Sequence, residues 1–211
     1  MSDGTSITTI ADDDIAGFLH NPARADGRGL VLTHGAGGNA RAPLLAACAE
    51  AFAAAGMTVL RYDLPFRQKR GRGPPHPATA AADRIGLRDA VSWLRARAGG
   101  PIYLGGHSYG GRQASMLAAE QPDIAAALLL LSYPLHPPAK PEQLRTAHFA
   151  NLRTRAVFVS GDNDPFGGVA ELERAIAAIP AATRLIVVAG SGHDLKRGRI
   201  EFAPIVATLS G

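Results

Sequence analysis

Ser108 stands in Gly105-Gly-His-Ser-Tyr-Gly-Gly-Arg112, with a glycine two positions to either side of it. A serine hydroxyl becomes a nucleophile when a neighbouring base takes its proton and an acid orients that base. The β-type run Ile102–Leu104 precedes this stretch and an Ala-rich helical run reaching Gln121 follows it. That is the strand–turn–helix setting in which G-x-S-x-G forms a sharp elbow. The turn strains the serine backbone and leaves no room for a Cβ at Gly106 and Gly110. Ser108 Oγ then projects above the sheet edge at a helix N-terminus, whose dipole favours developing negative charge.

The base is expected on a loop after a late strand. His193, in Gly190-Ser-Gly-His-Asp194, follows the apolar run Leu185–Val188 and fits that position. The acid is expected between the two, and Ser160-Gly-Asp-Asn-Asp-Pro165 offers Asp162 and Asp164. Asp164 is preferred because Pro165 biases it toward an extended backbone and pins the turn. Asp162 is expected to make local Asx-type hydrogen bonds instead. A tetrahedral oxyanion needs two backbone N–H groups. Tyr109 supplies one, and the loop His34-Gly-Ala-Gly-Gly-Asn39 supplies the other, with Ala36 the first candidate and Gly37 the second. His34 reads as a hydrogen-bonding residue that shapes this loop, and His107 as packed around the elbow. His20, His76, His136 and His148 show no metal-ligand spacing, so neither a metal nor another cofactor is expected. The stretch Arg61–Arg72 carries Arg61, Arg67, Lys69, Arg70 and Arg72 against the single acid Asp63. It reads either as a solvated basic loop or as a rim patch, with Arg67 and Arg70 drawing in a carboxylate- or phosphate-bearing ester. Arg112, one helical turn past Ser108, is a packing residue or part of the same patch.

These residues need a frame. An edge hairpin is expected from Thr5–Ile10 and Ile15–Leu19 around Ala11-Asp-Asp-Asp14. Strands are expected at Leu30–Thr33, Thr58–Tyr62, Ile102–Leu104, Ile124–Leu131, Ala156–Ser160 and Leu185–Val188. Helices are expected at Pro43–Ala55, at Ala78–Ala98 with Leu87, Val91, Leu94 and Ala98 on one face, over Val169–Ile179, and at Ile200–Leu209. The alternation implies an α/β fold, a doubly wound, mostly parallel sheet of about 7–8 strands with helices on both faces. The loops after its strands converge on the C-terminal edge, where ligands bind in such sheets. About 24 residues separate Ser132 from Ala156, room for one short helix (Glu142–His148) and a Pro-rich loop. No lid domain fits there, so an open, shallow site is expected.

The chain has 211 residues, 46% of them hydrophobic and 19% charged, which suits a single globular domain over 1–211. No apolar run is long enough to span a bilayer, and the polar, acidic stretch Met1–Asp14 lacks the pattern of a secretory signal. Cys48 is the only cysteine. It reads as a buried small hydrophobe, and a reducing cytoplasm is the expected location. The net charge of +4 accompanies no nucleic-acid-binding motif. Neither nucleic acid nor membrane is therefore an expected partner, and the chain reads as a monomer or homodimer acting on a small molecule.

Leu32-Thr-His-Gly-Ala-Gly-Gly-Asn39, Arg61-Tyr-Asp-Leu-Pro-Phe66, the Ser108 stretch, Tyr133-Pro-Leu-His-Pro-Pro138 and Ser160–Gly167 together resemble the α/β-hydrolase superfamily. Within it the chain looks like the small dienelactone-hydrolase-like group, related to the testis-expressed and NSL-complex hydrolase-like domains. The order Ser…Asp…His is that of this superfamily. The resemblance implies a serine hydrolase core in which Ser108, Asp164 and His193 match the triad. Serine replaces the cysteine of true dienelactone hydrolases, which moves the expected substrate away from dienelactones. The leading expectation is hydrolysis of a small ester or thioester through an acyl-enzyme. The alternatives are a prolyl-oligopeptidase-like peptidase and a catalytically silent scaffold that kept the fold.

Overall fold

A computed structural model describes residues 4–12 and 14–211. Asp13 of the expected edge turn, and residues 1–3 of the acidic N-terminal stretch, lie outside the described residues. The strands are β1 (Ser6–Asp12), β2 (Ile15–Asn21), β3 (Gly29–Thr33), β4 (Thr58–Tyr62), β5 (Ile102–His107), β6 (Leu128–Leu131), β7 (Ala156–Gly161) and β8 (Thr183–Val188). The helices are α1 (Pro43–Ala54), α2 (Pro65–Lys69), α3 (Ala80–Ala98), α4 (Tyr109–Glu120), α5 (Val169–Ile176) and α6 (Phe202–Ser210).

All eight strands join one sheet in the order β1-β2-β4-β3-β5-β6-β7-β8. The β1–β2 hairpin and its junction with β4 are antiparallel, and every later pairing is parallel. Side chains alternate across the parallel strands, as a pleated sheet requires. Val31, Leu104, Leu128, Leu130 and Phe158 join one core with Leu87, Val91 and Leu94 of α3, Leu117 of α4 and Leu172 of α5. Leu30, Leu32, Leu129, Leu131, Val157 and Val159 join the other with Leu45 and Phe52 of α1 and Ile205 and Leu209 of α6. Helices thus cover both faces, and the central strands are apolar throughout because neither face meets water. Cys48 is fully buried in the second core, and burial pushes its thiol pKa up.

Local chemistry sets the ends of the elements. Pro43 opens α1, where a missing N–H costs nothing. Gly99, at φ 83°, closes α3 in the left-handed conformation that a side chain disfavours. The expected strand Ile124–Leu131 forms only over its second half. Pro122 starts a 3-10 turn, Ile124 N–H donates to Gln121 O at 3.0 Å, and pairing with β7 begins at Leu128. The basic connection after β4 is not wholly irregular, since Pro65 nucleates the short α2 within it.

No helix forms over Glu142–His148. The segment runs as turns, because its backbone bonds outward: Arg145 N–H donates to Leu135 O at 2.8 Å, and Tyr133 Oη donates to Arg145 O at 2.6 Å. Among the described residues no helix is long and apolar enough to cross a membrane.

The hairpin is fastened to the sheet through a buried polar pair. Arg61 Nε donates to His20 Nε2 at 2.8 Å, and burial, reinforced by the Arg61 charge, lowers the His20 pKa from 6.5 to about 4. The folded-state value lies below the unfolded one, so as pH falls the unfolded chain binds the proton first. Stability held above about pH 6.5 is lost as pH drops toward about 4, and this group adds no further loss below that. The urea midpoint should therefore fall across that window. His20→Gln, which keeps an acceptor and cannot titrate, should flatten part of the slope. An identical slope in the variant would show that His20 is not one of its sources.

Candidate active site

The elbow has the backbone geometry that its glycines demand. Ser108 lies at φ 52° and ψ −115°, between the end of β5 and the first turn of α4. A Cβ on Gly106 would meet Thr33 O at 2.6 Å, and one on Gly110 would meet His34 O and Thr33 Cγ2, each at 2.6 Å. The end of β3 therefore packs directly on the turn, and only glycine allows it.

Three side chains distant in sequence converge here. His193 Nε2 lies 2.8 Å from Ser108 Oγ, and His193 Nδ1 lies 2.8 and 3.0 Å from the two oxygens of Asp164. The Asp164 side chain is completely buried, whereas that of His193 keeps 19% exposure. Asp164 Oδ1 also accepts from Phe166 N–H at 2.8 Å, and the Phe166 ring stacks on His193 with centroids 4.0 Å apart. The imidazole is thus held by a carboxylate at one nitrogen and by a ring across its face. Asp162 sits elsewhere. Its Oδ1 accepts from Ser191 N–H at 3.2 Å and from Asn163 Nδ2 at 2.9 Å, so it braces the two loops rather than the imidazole. The local Asx-type bond expected of Asp162 is instead made by Asp164.

The loop after β3 turns at Ala36 and Gly37, with Gly38 N–H donating to Gly35 O at 3.0 Å. His34 anchors it from below. Its Nδ1 lies 2.9 Å from Gly35 O, and its Nε2 accepts from Leu64 N–H at 3.2 Å. This pattern needs a neutral ring, and burial lowers the His34 pKa accordingly. Tyr109 and Ala36 both line the cavity above Ser108. As the first residue of α4, Tyr109 has no intrahelical acceptor for its N–H. The Tyr109 hydroxyl donates to Asp83 Oδ2 at 2.7 Å, and Phe66 N–H donates to Asp83 Oδ1 at 3.1 Å. The buried Asp83 has its pKa raised chiefly by burial, and it ties α2, α3 and the elbow together.

The basic stretch is placed differently from the rim patch. Arg67 is only 6% exposed, and its guanidinium donates to the backbone carbonyls of Ala36 (3.0 Å), Arg70 (3.1 Å) and Gly73 (2.9 Å). It therefore holds the loops and does not face the cavity. Arg70 bonds Pro74 O on the exposed surface and is likewise absent from the cavity wall. The Arg67 Nη1 and Nη2 groups are taken up by three carbonyl oxygens while its Nε has no partner, and Arg70 bonds one carbonyl, so neither lines the cavity. Arg61 is used at the hairpin. Arg112 and Gly37 do line the cavity.

His107 faces the cavity too, and its Nε2 lies 2.8 Å from His193 O, so it supports the His193 loop directly. Burial comes first among the causes that lower its pKa. Phe166, Asp83, Gln113 and Arg145 are site residues that the sequence reading did not single out. The Asp-Pro-Phe spacing could have pointed to Phe166; Arg145, in an irregular connection, carries no local signal.

The cavity measures about 910 Å³. Pro74–Pro77, the apolar side chains of Leu44, Leu45 and Met116, and Pro134 and Arg145 line it. The arrangement presents the Ser108 hydroxyl to the His193 ring in the lining of a largely apolar cavity.

A sequence profile described as an alpha/beta hydrolase domain matches residues 26–202. Among solved structures, a dienelactone hydrolase from Anabaena variabilis superimposes with a TM-score of 0.74 at 20% identity, covering 98% of this chain and 96% of that one. Est1E from Butyrivibrio proteoclasticus gives 0.70 at 18% identity, covering 98% and 96%. A serine hydrolase without a lid from Xanthomonas campestris gives 0.70 at 15% identity, covering 100% and 94%. At these identities the likeness is one of fold.

The glycine contacts make a direct prediction. Gly110→Ala should lower stability by about 1–3 kcal/mol, the usual range for overpacking. Gly37→Ala, whose Cβ would meet nothing within 4 Å, should stay within about 0.5 kcal/mol of wild type. Equal urea midpoints for the two variants would contradict the packing described.

Proposed function

The chain belongs to the alpha/beta hydrolase family, and from that premise we propose that it is a serine hydrolase cleaving carboxylic esters or thioesters through an acyl-enzyme. The observation that carries this reading is the continuous contact from Asp164 through His193 to Ser108 Oγ, at 2.8 Å on each side of the imidazole. Such a chain moves a proton off the hydroxyl without displacing a heavy atom.

In the proposed cycle Ser108 Oγ attacks the substrate carbonyl carbon and His193 Nε2 takes its proton. Asp164 holds the ring tautomer that leaves Nε2 free to accept and stabilises the imidazolium that forms. The carbonyl oxygen becomes an oxyanion facing the amides of Tyr109 and Ala36, aided by the N-terminal dipole of α4. His193 returns the proton to the leaving alkoxide or thiolate as the C–O or C–S bond breaks. Water then gives its proton to His193, attacks the acyl-serine, and releases the acid with Ser108 restored. Arg67 acts at a distance in this scheme, by fixing the carbonyl of Ala36 so that the loop keeps its shape.

Esters and thioesters are favoured over peptides by the pocket, whose mainly apolar walls suit a compact acyl group. Wild-type protein should be labelled at Ser108 by a fluorophosphonate probe and should hydrolyse short 4-nitrophenyl esters faster than aminoacyl-amides. Ser108→Ala should abolish labelling and reduce turnover by about 10³-fold or more with folding intact. Folded wild-type protein that stays unlabelled would instead support the silent scaffold.

The two acids separate cleanly. Asp164→Asn should reduce kcat by about 10²–10⁴-fold, because the ring loses both its orientation and its counter-charge. Asp162→Asn should cost less than about tenfold, since its contacts are to a backbone N–H and a neighbouring amide. The opposite ranking in steady-state kinetics would transfer the acid role to Asp162.

A further inference from the structure

One wall of the cavity offers hydrogen-bond donors without acceptors. Arg112 and Gln113 follow one another on α4, one turn beyond Ser108, and both line the cavity together with Arg145. Among the described residues, neither Arg112 nor Arg145 has a carboxylate within salt-bridge distance. Arg112 Nε is buried with no partner. Gln113 is completely buried, its Oε1 accepts from Arg84 Nη1 at 3.2 Å, and its Nε2 is left with no acceptor.

The neighbouring groups do not compensate these charges. Arg84 spends its own charge on Glu120, 3.1 Å away. Asp83 is occupied by the Tyr109 hydroxyl and Phe66 N–H. Tyr133, also beside Arg112, has its hydroxyl pKa raised by burial and so stays neutral. His148 lies 2.8 Å from Ser115 Oγ, and burial followed by the charges of Arg112 and Arg84 lowers its pKa to about 4. It therefore adds no negative charge. Burial and then the Arg112 charge also lower the Arg145 pKa, so the two guanidinium groups repel each other. The Arg145 side chain makes one long bond, Nη1 to Pro134 O at 3.4 Å. Two partly dehydrated guanidinium groups without a counter-charge and an idle amide N–H are costly unless something anionic completes them.

We propose that Arg112, Gln113 and Arg145 form a carboxylate-binding subsite beside Ser108, so that the substrate is a half-ester or half-thioester of a short dicarboxylic acid. The assignment rests on the hydrolase reading above and names its substrate class. A planar carboxylate suits a pair of guanidinium forks, each able to give two parallel N–H bonds, with the amide taking a remaining lone pair. Helical side chains lean toward the helix N-terminus, which tips Arg112 back toward Ser108. One turn of helix is about 5.4 Å, so the carboxylate and the scissile carbonyl are separated by only a few methylene groups.

The test compares 4-nitrophenyl hemiglutarate with the uncharged 4-nitrophenyl valerate. Wild-type kcat/KM should favour the half-ester by about tenfold or more, the least that charge-assisted hydrogen bonds of this kind supply. Arg112→Gln and Arg145→Gln should each move that ratio toward one, while Arg72→Gln, at an exposed position away from the cavity wall, should leave it unchanged. Arg145→Gln gives up the 3.4 Å side-chain bond to Pro134 O and leaves the backbone bonds to Tyr133 and Leu135 in place, so this variant keeps its fold.

Calorimetry on Ser108→Ala protein with monomethyl glutarate and methyl valerate separates the two readings. Selective binding of the half-ester, lost on adding Arg112→Gln, upholds the subsite even where no ester is cleaved. Hydrolysis of both esters with a ratio near one, or a ratio unmoved by both arginine variants, overturns the subsite and leaves the hydrolase intact. Absence of half-ester binding to Ser108→Ala protein overturns it as well.

Discussion

The site depends on one close approach: the end of β3 lies against the turn between β5 and α4. Thr33 and His34 carbonyls come so near Gly106 and Gly110 that no side chain fits, and Ser108 is held in a left-handed conformation, φ 52°, that an L-residue rarely adopts. That strain is sustained because the surrounding sheet is buried and parallel on both sides of the turn. Relaxing it would separate β3 from β5 and carry the loop bearing Ala36 away from Ser108. The proposed nucleophile and the proposed oxyanion donors are therefore two consequences of a single packing contact.

Around that contact, charged residues serve the loops more than the ligand. Arg67 threads beneath the Ala36 turn and binds three backbone carbonyls, His34 bridges Gly35 and Leu64, and Asp83 links Phe66 to Tyr109. Each satisfies backbone or hydroxyl groups that would otherwise be buried without partners, a cost comparable to losing a hydrogen bond outright. The result is a rigid cradle built from loops, which alone would be mobile. Against this background Arg112 and Arg145 stand out, since among the described residues neither has a carboxylate partner and the Arg145 side chain makes one long bond, to Pro134 O at 3.4 Å.

The architecture was largely legible in the sequence. Periodicity located the strands and helices because the parallel strands are apolar on both faces and the helices on one. Boundaries failed where something other than periodicity decided. Pro122 diverts the start of the Ile124–Leu131 run into a 3-10 turn. The Glu142–His148 segment gives up helical bonds for contacts to Tyr133 and Leu135. The Pro74–Pro77 segment, distant in the chain from the short connection after β6, also lines the cavity.

Sequence by itself determined the turn and the residue types that meet at it. Glycines at fixed offsets around Ser108, an acid before a proline, and a histidine after the last strand are local signals, set by backbone sterics that act over a few residues. What only the tertiary structure decided is which charges face the cavity. Arg67 and Arg70 read as ligand-binding cations because sequence records charge and not its partners, and folding brought carbonyl oxygens to them. Arg145 lay in a connection with no periodicity, and folding placed it in the cavity wall with one carbonyl contact and no carboxylate. Whether a guanidinium is satisfied depends on atoms far away in the chain, and that information exists only once the chain has closed on itself.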